Sequence, residues 1–194
     1  MDLKQRLYHH LTEIVRDRDP YIASGGHFFV QQYIRQQMSQ FGTLETHSFT
    51  YKNKTHYNLI LNLSGAEKSI NQPPILIAAH YDAVVGSPGA DDNATGVAVL
   101  LELAREFATN PPKTPVRLVA FDLEESGLIG SQEYVKFLKE TGQNLRLMLS
   151  LEMLGYCDRS ANSQKYPAEV LKYFYPDRGD FIALVGKIYP AYPI

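Results

Sequence analysis

Apolar residues fall into three distinct rhythms along the chain. Leu3, Leu7, Leu11 and Ile14 recur at helical spacing and predict an amphipathic helix over residues 2–17. Ser24-Gly25-Gly26 is read as a break, followed by a second helix from His27 to Phe41 that buries Phe29, Val30, Tyr33, Ile34 and Met38. Two alternating segments, Leu44–Tyr51 and His56–Leu63, flank the polar turn Lys52-Asn53-Lys54-Thr55 and predict an antiparallel hairpin. A polar loop, Ser64–Pro73, follows.

Beyond it the texture changes. Ile75–Ala79, Val116–Phe121 and Leu145–Leu151 are short, nearly continuous apolar runs, the pattern of strands buried on both faces. Between them, Val97, Leu100, Leu101, Ala104 and Phe107 mark one helical stripe, starting near Thr95, and Tyr134, Phe137 and Leu138 mark another. The proline-rich loop Asn110–Pro115 separates helix from strand. The fold expected is α/β, a three-layer α/β/α sandwich with a mixed, mainly parallel central sheet and the antiparallel hairpin at one edge. After Gly155 the chain turns rich in Tyr and Pro, with a helix expected over Pro167–Tyr175 and a strand over Phe181–Val185.

Bulk properties narrow the function classes. A chain of 194 residues accommodates one sizeable core and is short for two. Its formal charge of −2 gives no electrostatic case for a nucleic-acid or anionic-membrane partner. One cysteine, Cys157, excludes an intrachain disulfide, and it is read as structural because no histidine lies near it in sequence. Met1–Asp19 is charged throughout and has no signal-peptide core, and no apolar run reaches the ~20 residues of a membrane span, so a cytoplasmic protein is expected. The glycosylation-like triplets at Asn53, Asn62 and Asn93 are read as chance, and Arg178-Gly179-Asp180 as a turn.

The chemistry sits where apolar runs stop. Ile75–Ala79 leads into His80-Tyr81-Asp82, Val116–Phe121 into Asp122 and then Glu124-Glu125, and Leu145–Leu151 into Glu152. Open α/β sheets bind ligands at the carboxyl ends of their strands, so these groups are expected to converge. The turn Gly89-Ala90-Asp91-Asp92-Asn93 adds further acids just ahead of a helix. Singly, each has a plainer reading: a surface histidine, an Asp/Asn helix cap, a solvated Glu pair. Together, acids converging without a balancing Lys or Arg would repel one another unless a cation neutralised them. A mixed N/O donor set suits zinc, with manganese or cobalt also compatible. Asp82, two positions after His80 on the same strand face, can fix the imidazole from behind.

His80-Tyr81-Asp82, Gly89-Ala90-Asp91-Asp92-Asn93-Ala94-Thr95-Gly96 and Phe121-Asp122-Leu123-Glu124-Glu125-Ser126-Gly127-Leu128-Ile129-Gly130-Ser131 together resemble the signature of the M28 family of co-catalytic zinc aminopeptidases, over about residues 57–158. The resemblance implies a single peptidase domain over 1–194, a peptide substrate and two zinc ions. It also implies His80 and Glu152 as ligands of one zinc, Asp92 as the bridge, Glu125 as ligand of the other, Glu124 as general base and Asp82 as the residue orienting His80. The family has aspartate where Glu152 stands, and its bridging aspartate often precedes a cis peptide bond, here Asp92–Asn93. The second zinc of the family takes a further histidine, downstream in a Ser-Asp-His motif. This sequence has no histidine after His80; the others are His9, His10, His27, His47 and His56, none at a family ligand position. The expectation is therefore a domain incomplete at its C-terminus, holding one zinc or none, with little or no peptidase activity. Alternatives are a non-catalytic binding module descended from the family, an M20-type di-zinc hydrolase and, less favoured, a glutaminyl cyclase.

Overall fold

The computed structural model describes residues 1–65 and 72–186. Part of the expected loop Ser64–Pro73, and the stretch Tyr189–Ile194, lie outside the described residues. The chain divides into two compact units, Met1–Met153 and Leu154–Ile194.

In the first unit, α1 spans Leu3–Ile14 and opens on a capping box in which Asp2 and Gln5 exchange side-chain-to-backbone hydrogen bonds of 2.8 and 3.0 Å. The expected helix is shortened at both ends by this cap and by an extended Val15. Helix α2 spans Ser24–Met38, so Ser24-Gly25-Gly26 starts the helix rather than breaking the pattern. Gly26 is there for close approach: a Cβ would stand 2.0 Å from the Asp17 carbonyl oxygen. Val30, Tyr33, Ile34 and Met38 are buried as expected, whereas Phe29 is exposed, its ring covered by the Arg16 guanidinium at 3.8 Å.

Strands β1 (Leu44–Tyr51) and β2 (Lys54–Leu63) form the hairpin around Lys52-Asn53, both at positive φ, as the right-handed strand twist requires of a two-residue turn. Strands β3 (Ile75–His80), β4 (Val116–Phe121) and β5 (Leu147–Ser150) complete a five-stranded sheet ordered β1-β2-β4-β3-β5. Strand β4 is antiparallel to β2 and parallel to β3, and β3 is parallel to β5. Helices α3 (Gly96–Thr109) and α4 (Ile129–Glu140) fill the connections.

Period-two alternation sorts the sheet's residues between two cores. Leu59, Leu61, Ile77, Ala79, Leu118 and Ala120 pack with Ile14 of α1, Val30 and Ile34 of α2, and Val97, Leu100 and Leu101 of α3. Ile60, Leu76, Ala78, Val119 and Phe121 pack with Tyr134 and Leu138 of α4. The three-layer sandwich with an antiparallel edge hairpin is thus as expected. Strand β5 departs from expectation: it lies at an edge and Leu147, Met148 and Leu149 are 50, 46 and 40% exposed.

Among its described residues the second unit holds a 3-10 helix, Glu169–Tyr173, inside the expected helix, and an isolated antiparallel bridge between Asp158 and Gly179. The strand expected over Phe181–Val185 does not form; Ile182, Leu184 and Val185 are exposed and find no pairing partner among the described residues. No helix of the described residues is long and apolar enough to cross a membrane.

Candidate metal centre

Parallel register sets the level of the site. His80 stands beside Phe121, and Ala78 beside Ser150, so Asp122 and Glu152 follow at the height of His80 on either side of β3. Around the buried His80 ring, Nε2 lies 3.0 Å from Asp92 Oδ1, 3.5 Å from Glu152 Oε2 and 3.9 Å from Glu124 Oε2. Three carboxylates thus crowd one imidazole nitrogen. The ligating atoms fall into two groups, His80 with Asp92 and Glu152, and His80 with Glu124 and Glu125.

Asp82 lies fully buried behind this array. Its Oδ1 is 3.3 Å from His80 Nδ1 without hydrogen-bond alignment, and that buried nitrogen has no bonded partner. The Asp82 oxygens instead accept the backbone N–H groups of Glu124 and Glu125, at 3.1 Å each. Asp82 therefore ties the end of β3 to the turn bearing the glutamate pair.

Asp92 sits in the turn Ala90–Thr95, where it and Asn93 leave helical φ/ψ and are joined by a cis peptide bond, as the resemblance implied. Asn93 is buried; its amide donates to the Leu151 carbonyl at 2.7 Å and to Glu152 Oε2 at 2.8 Å, while its oxygen accepts the Gly96 N–H at the start of α3. Ser150 Oγ adds a 3.1 Å bond to Glu152 Oε1. The half-exposed Glu152 is thereby aimed at His80, despite coming from an exposed strand.

The electrostatics call for a cation. Burial disfavours charge on His80, but Asp82 and Glu152 outweigh it and push its pKa up to about 10. Burial, with neighbouring acids, also raises Glu124 and Glu125. An imidazole that holds a proton this tightly among carboxylates offers the same electrostatic well to a divalent ion, and one neutral imidazole with two or three carboxylates fits zinc.

Three contributions escape a reading of the sequence. Arg18, fully buried, places a guanidinium within electrostatic reach of Asp82, Asp92 and Glu125, so the acids do have one balancing cation. His27 and His56 hold Asp122: His27 Nε2 bonds Oδ1 at 2.7 Å and His56 Nδ1 bonds Oδ2 at 3.0 Å. Asp122 therefore anchors the turn before Leu123 and belongs to neither metal group among the described residues. No local pattern announces these partners, which come from α2, β2 and the connection after α1. Cys157, in the second unit, is exposed and unbridged.

Comparison with known proteins bears on the family and the fold. The family model described as Peptidase family M28 matches residues 58–176. The Escherichia coli protein YfbL is 46% identical over 126 residues, covering 60% of this chain and 39% of YfbL. Aminopeptidase YwaD of Bacillus subtilis is 40% identical over 117 residues, 58% of this chain and 24% of YwaD. The crystal structure of the LapA aminopeptidase of Legionella pneumophila superposes with a TM-score of 0.66 at 23% identity, covering 79% of this chain and 45% of LapA, a likeness of fold. The chain thus spans less than half the length of each of these three relatives.

Proposed function

The chain belongs to peptidase family M28, and from that premise we propose that it carries the metal-binding and general-base residues of a zinc-dependent aminopeptidase. Both units are read as parts of one peptidase domain, because the family match crosses the division between them. The observation that supports the reading best is the crowding of Asp92, Glu152 and Glu124 around one nitrogen of His80.

His80, Asp92 and Glu152 would hold the first zinc, three protein ligands being the usual number for a catalytic ion. Asp92 and Glu125 would contribute to a second. When bound, zinc supplies Lewis-acid polarisation of the scissile carbonyl and a more acidic water. Glu124 would take a proton from the attacking water and pass it to the leaving amine. Its backbone N–H is held in place by Asp82. Peptides with a free N-terminus are the proposed substrates.

Zinc titration followed by turnover of leucyl-anilide and its N-acetylated form tests the reading. The expected result is one tightly bound zinc per chain and slow, chelator-sensitive turnover confined to the free amine. Absence of zinc binding, or turnover indifferent to chelation, would overturn it. Tight zinc binding with no turnover would favour a one-metal binding module. The family match sets the M20-type alternative aside.

A further inference from the structure

Arg18 stands alone between two aspartates in a connecting segment, outside the stretch matched by the family model. Its side chain is nevertheless fully buried. Burying a guanidinium is costly unless its donors are satisfied and its charge is compensated. Here Nε donates to the Tyr81 carbonyl at 2.8 Å, Nη2 to the Gly89 carbonyl at 2.8 Å, and Nη1 to the Pro88 carbonyl. Longer contacts reach the carbonyls of Ile14 and Asp92, both at 3.5 Å, and Arg16 at 3.4 Å.

The pattern of acceptors carries the argument. Tyr81 follows His80 directly and precedes Asp82; Pro88 and Gly89 open the turn that delivers Asp92. One rigid fork therefore spans the two backbone segments whose side chains meet at 3.0 Å in the His80–Asp92 pair. The opposite wall of this contact is equally built: Gly89 adopts φ +53°, and a Cβ there would lie 2.5 Å from Arg18 Nη2 and 2.5 Å from the Asp92 carbonyl oxygen. Such close approach leaves room only for glycine against the guanidinium.

We propose that Arg18 is a positioning residue for the metal centre, a buried strut that fixes the spacing between the His80 and Asp92 ligand positions. The proposal rests on the metal-centre reading given above. Lysine would keep the charge but cannot serve three carbonyls with a planar fork, so Arg18→Lys separates geometry from charge. Gly89→Ala attacks the same contact from the other side, keeping Arg18 and every ligand side chain while pressing also on the Asp92 carbonyl.

The test is metal affinity by chelator competition, with the visible spectrum of the cobalt-loaded chain as a report on coordination geometry. It is made on the 194-residue chain, with thermal midpoints of the metal-free proteins as the folding control. Hydrogen exchange of the Ala94 amide, which donates to the Gly89 carbonyl at 3.1 Å, reads the turn without metal. Both variants are expected to lose about 10–100-fold in zinc affinity, the range for residues that support ligands from behind. Both should also shift the cobalt spectrum and speed Ala94 exchange. Should Arg18→Lys fail to fold, Arg18→Gln, which keeps one amide donor on an uncharged side chain, takes its place; Gly89→Ala also strains the Asp92 turn directly and only corroborates. Zinc affinity and cobalt spectrum unchanged in a folded variant would overturn the proposal while leaving the metal centre standing. No zinc bound by the parent chain would overturn the metal-centre reading, and the role of Arg18 with it.

Discussion

Two sets of carboxylates within one unit behave in opposite ways. Asp122 and Glu102 are buried and bonded to bases: Asp122 to His27 and His56, Glu102 to Arg6 at 2.7 Å and His10 at 3.2 Å. Burial opposes their charge, yet these partners win, holding Asp122 at about 2 and Glu102 below its ordinary value. Glu124 and Glu125 are more open to solvent but are raised, by partial burial and by neighbouring acids including Asp82 and Asp92. The first set joins structural elements; the second is a concentration of negative charge aimed at one imidazole. Burial therefore does not separate framework from site here. The sign of each acid's neighbours does.

The largest expected effect comes from removing a site acid that would touch substrate water. Glu124→Gln should lower turnover about 10²–10⁴-fold with zinc content nearly intact. Near-parent kcat in this variant would place the base elsewhere. Next, Asp92→Ala should weaken zinc binding more than about 10-fold, beyond the low end of what supporting residues cost. Asp91→Ala should spare it, because the metal groups contain Asp92 and not its neighbour. The reverse outcome in metal titrations would move the ligand one residue back.

The site acids were legible in the sequence because each directly follows an apolar run or occupies a sharp turn, and chain order with parallel register brings strand ends together. The framework partners were not. Arg18 and His27 bond partners 71 and 95 residues distant in sequence, Gly89 and Asp122, and nothing local marks them. Apolar character also failed to distinguish strands by burial. Leu-Met-Leu in β5 reads like Ile-Leu-Ile in β3, but β3 is enclosed by β4 and β5 while β5, among the described residues, has a neighbour on one side only. Glycines misled for a related reason. Gly26 marks a backbone approach to Asp17, visible only once the chain is folded.

A framework acid should fail differently. Asp122→Asn keeps the shape but removes the charge that both imidazoles address, and should cost about 1.5–3 kcal/mol, the range for hydrogen bonds to a buried charged group. Urea denaturation of the metal-free chain measures it. Glu125→Gln in the same assay should be neutral or stabilising, since it removes like-charge repulsion rather than a bonded partner. Equal losses in the two variants would erase the distinction between the sets.

The smallest effect concerns Glu102, which clamps α1 to α3 away from the proposed ligands. It faces Arg6 and His10 from α1 and Arg105 from its own helix, while Tyr33 of α2 bonds the other side of the His10 ring at 2.7 Å. Because the folded pKa of Glu102 is lowered, the unfolded chain binds its proton first as the medium acidifies. Its contribution is therefore complete above the unfolded value of about 4.3 and lost as pH falls through the folded one. Burial lowers His10 despite the raising effect of Glu102, so its contribution has the same sign but begins to disappear earlier, near the unfolded value of about 6.5. Stability should thus fall in two stages on acidification. Glu102→Gln should cost about 1 kcal/mol at pH 7, a typical net hydrogen-bond contribution, and should flatten the lower stage while deepening the upper one, because its raising effect on His10 is lost. Urea midpoints at pH 7, 5 and 3 for parent and variant decide the matter. If the parent and Glu102→Gln lose the same stability between pH 5 and 3, the clamp is not held by charge.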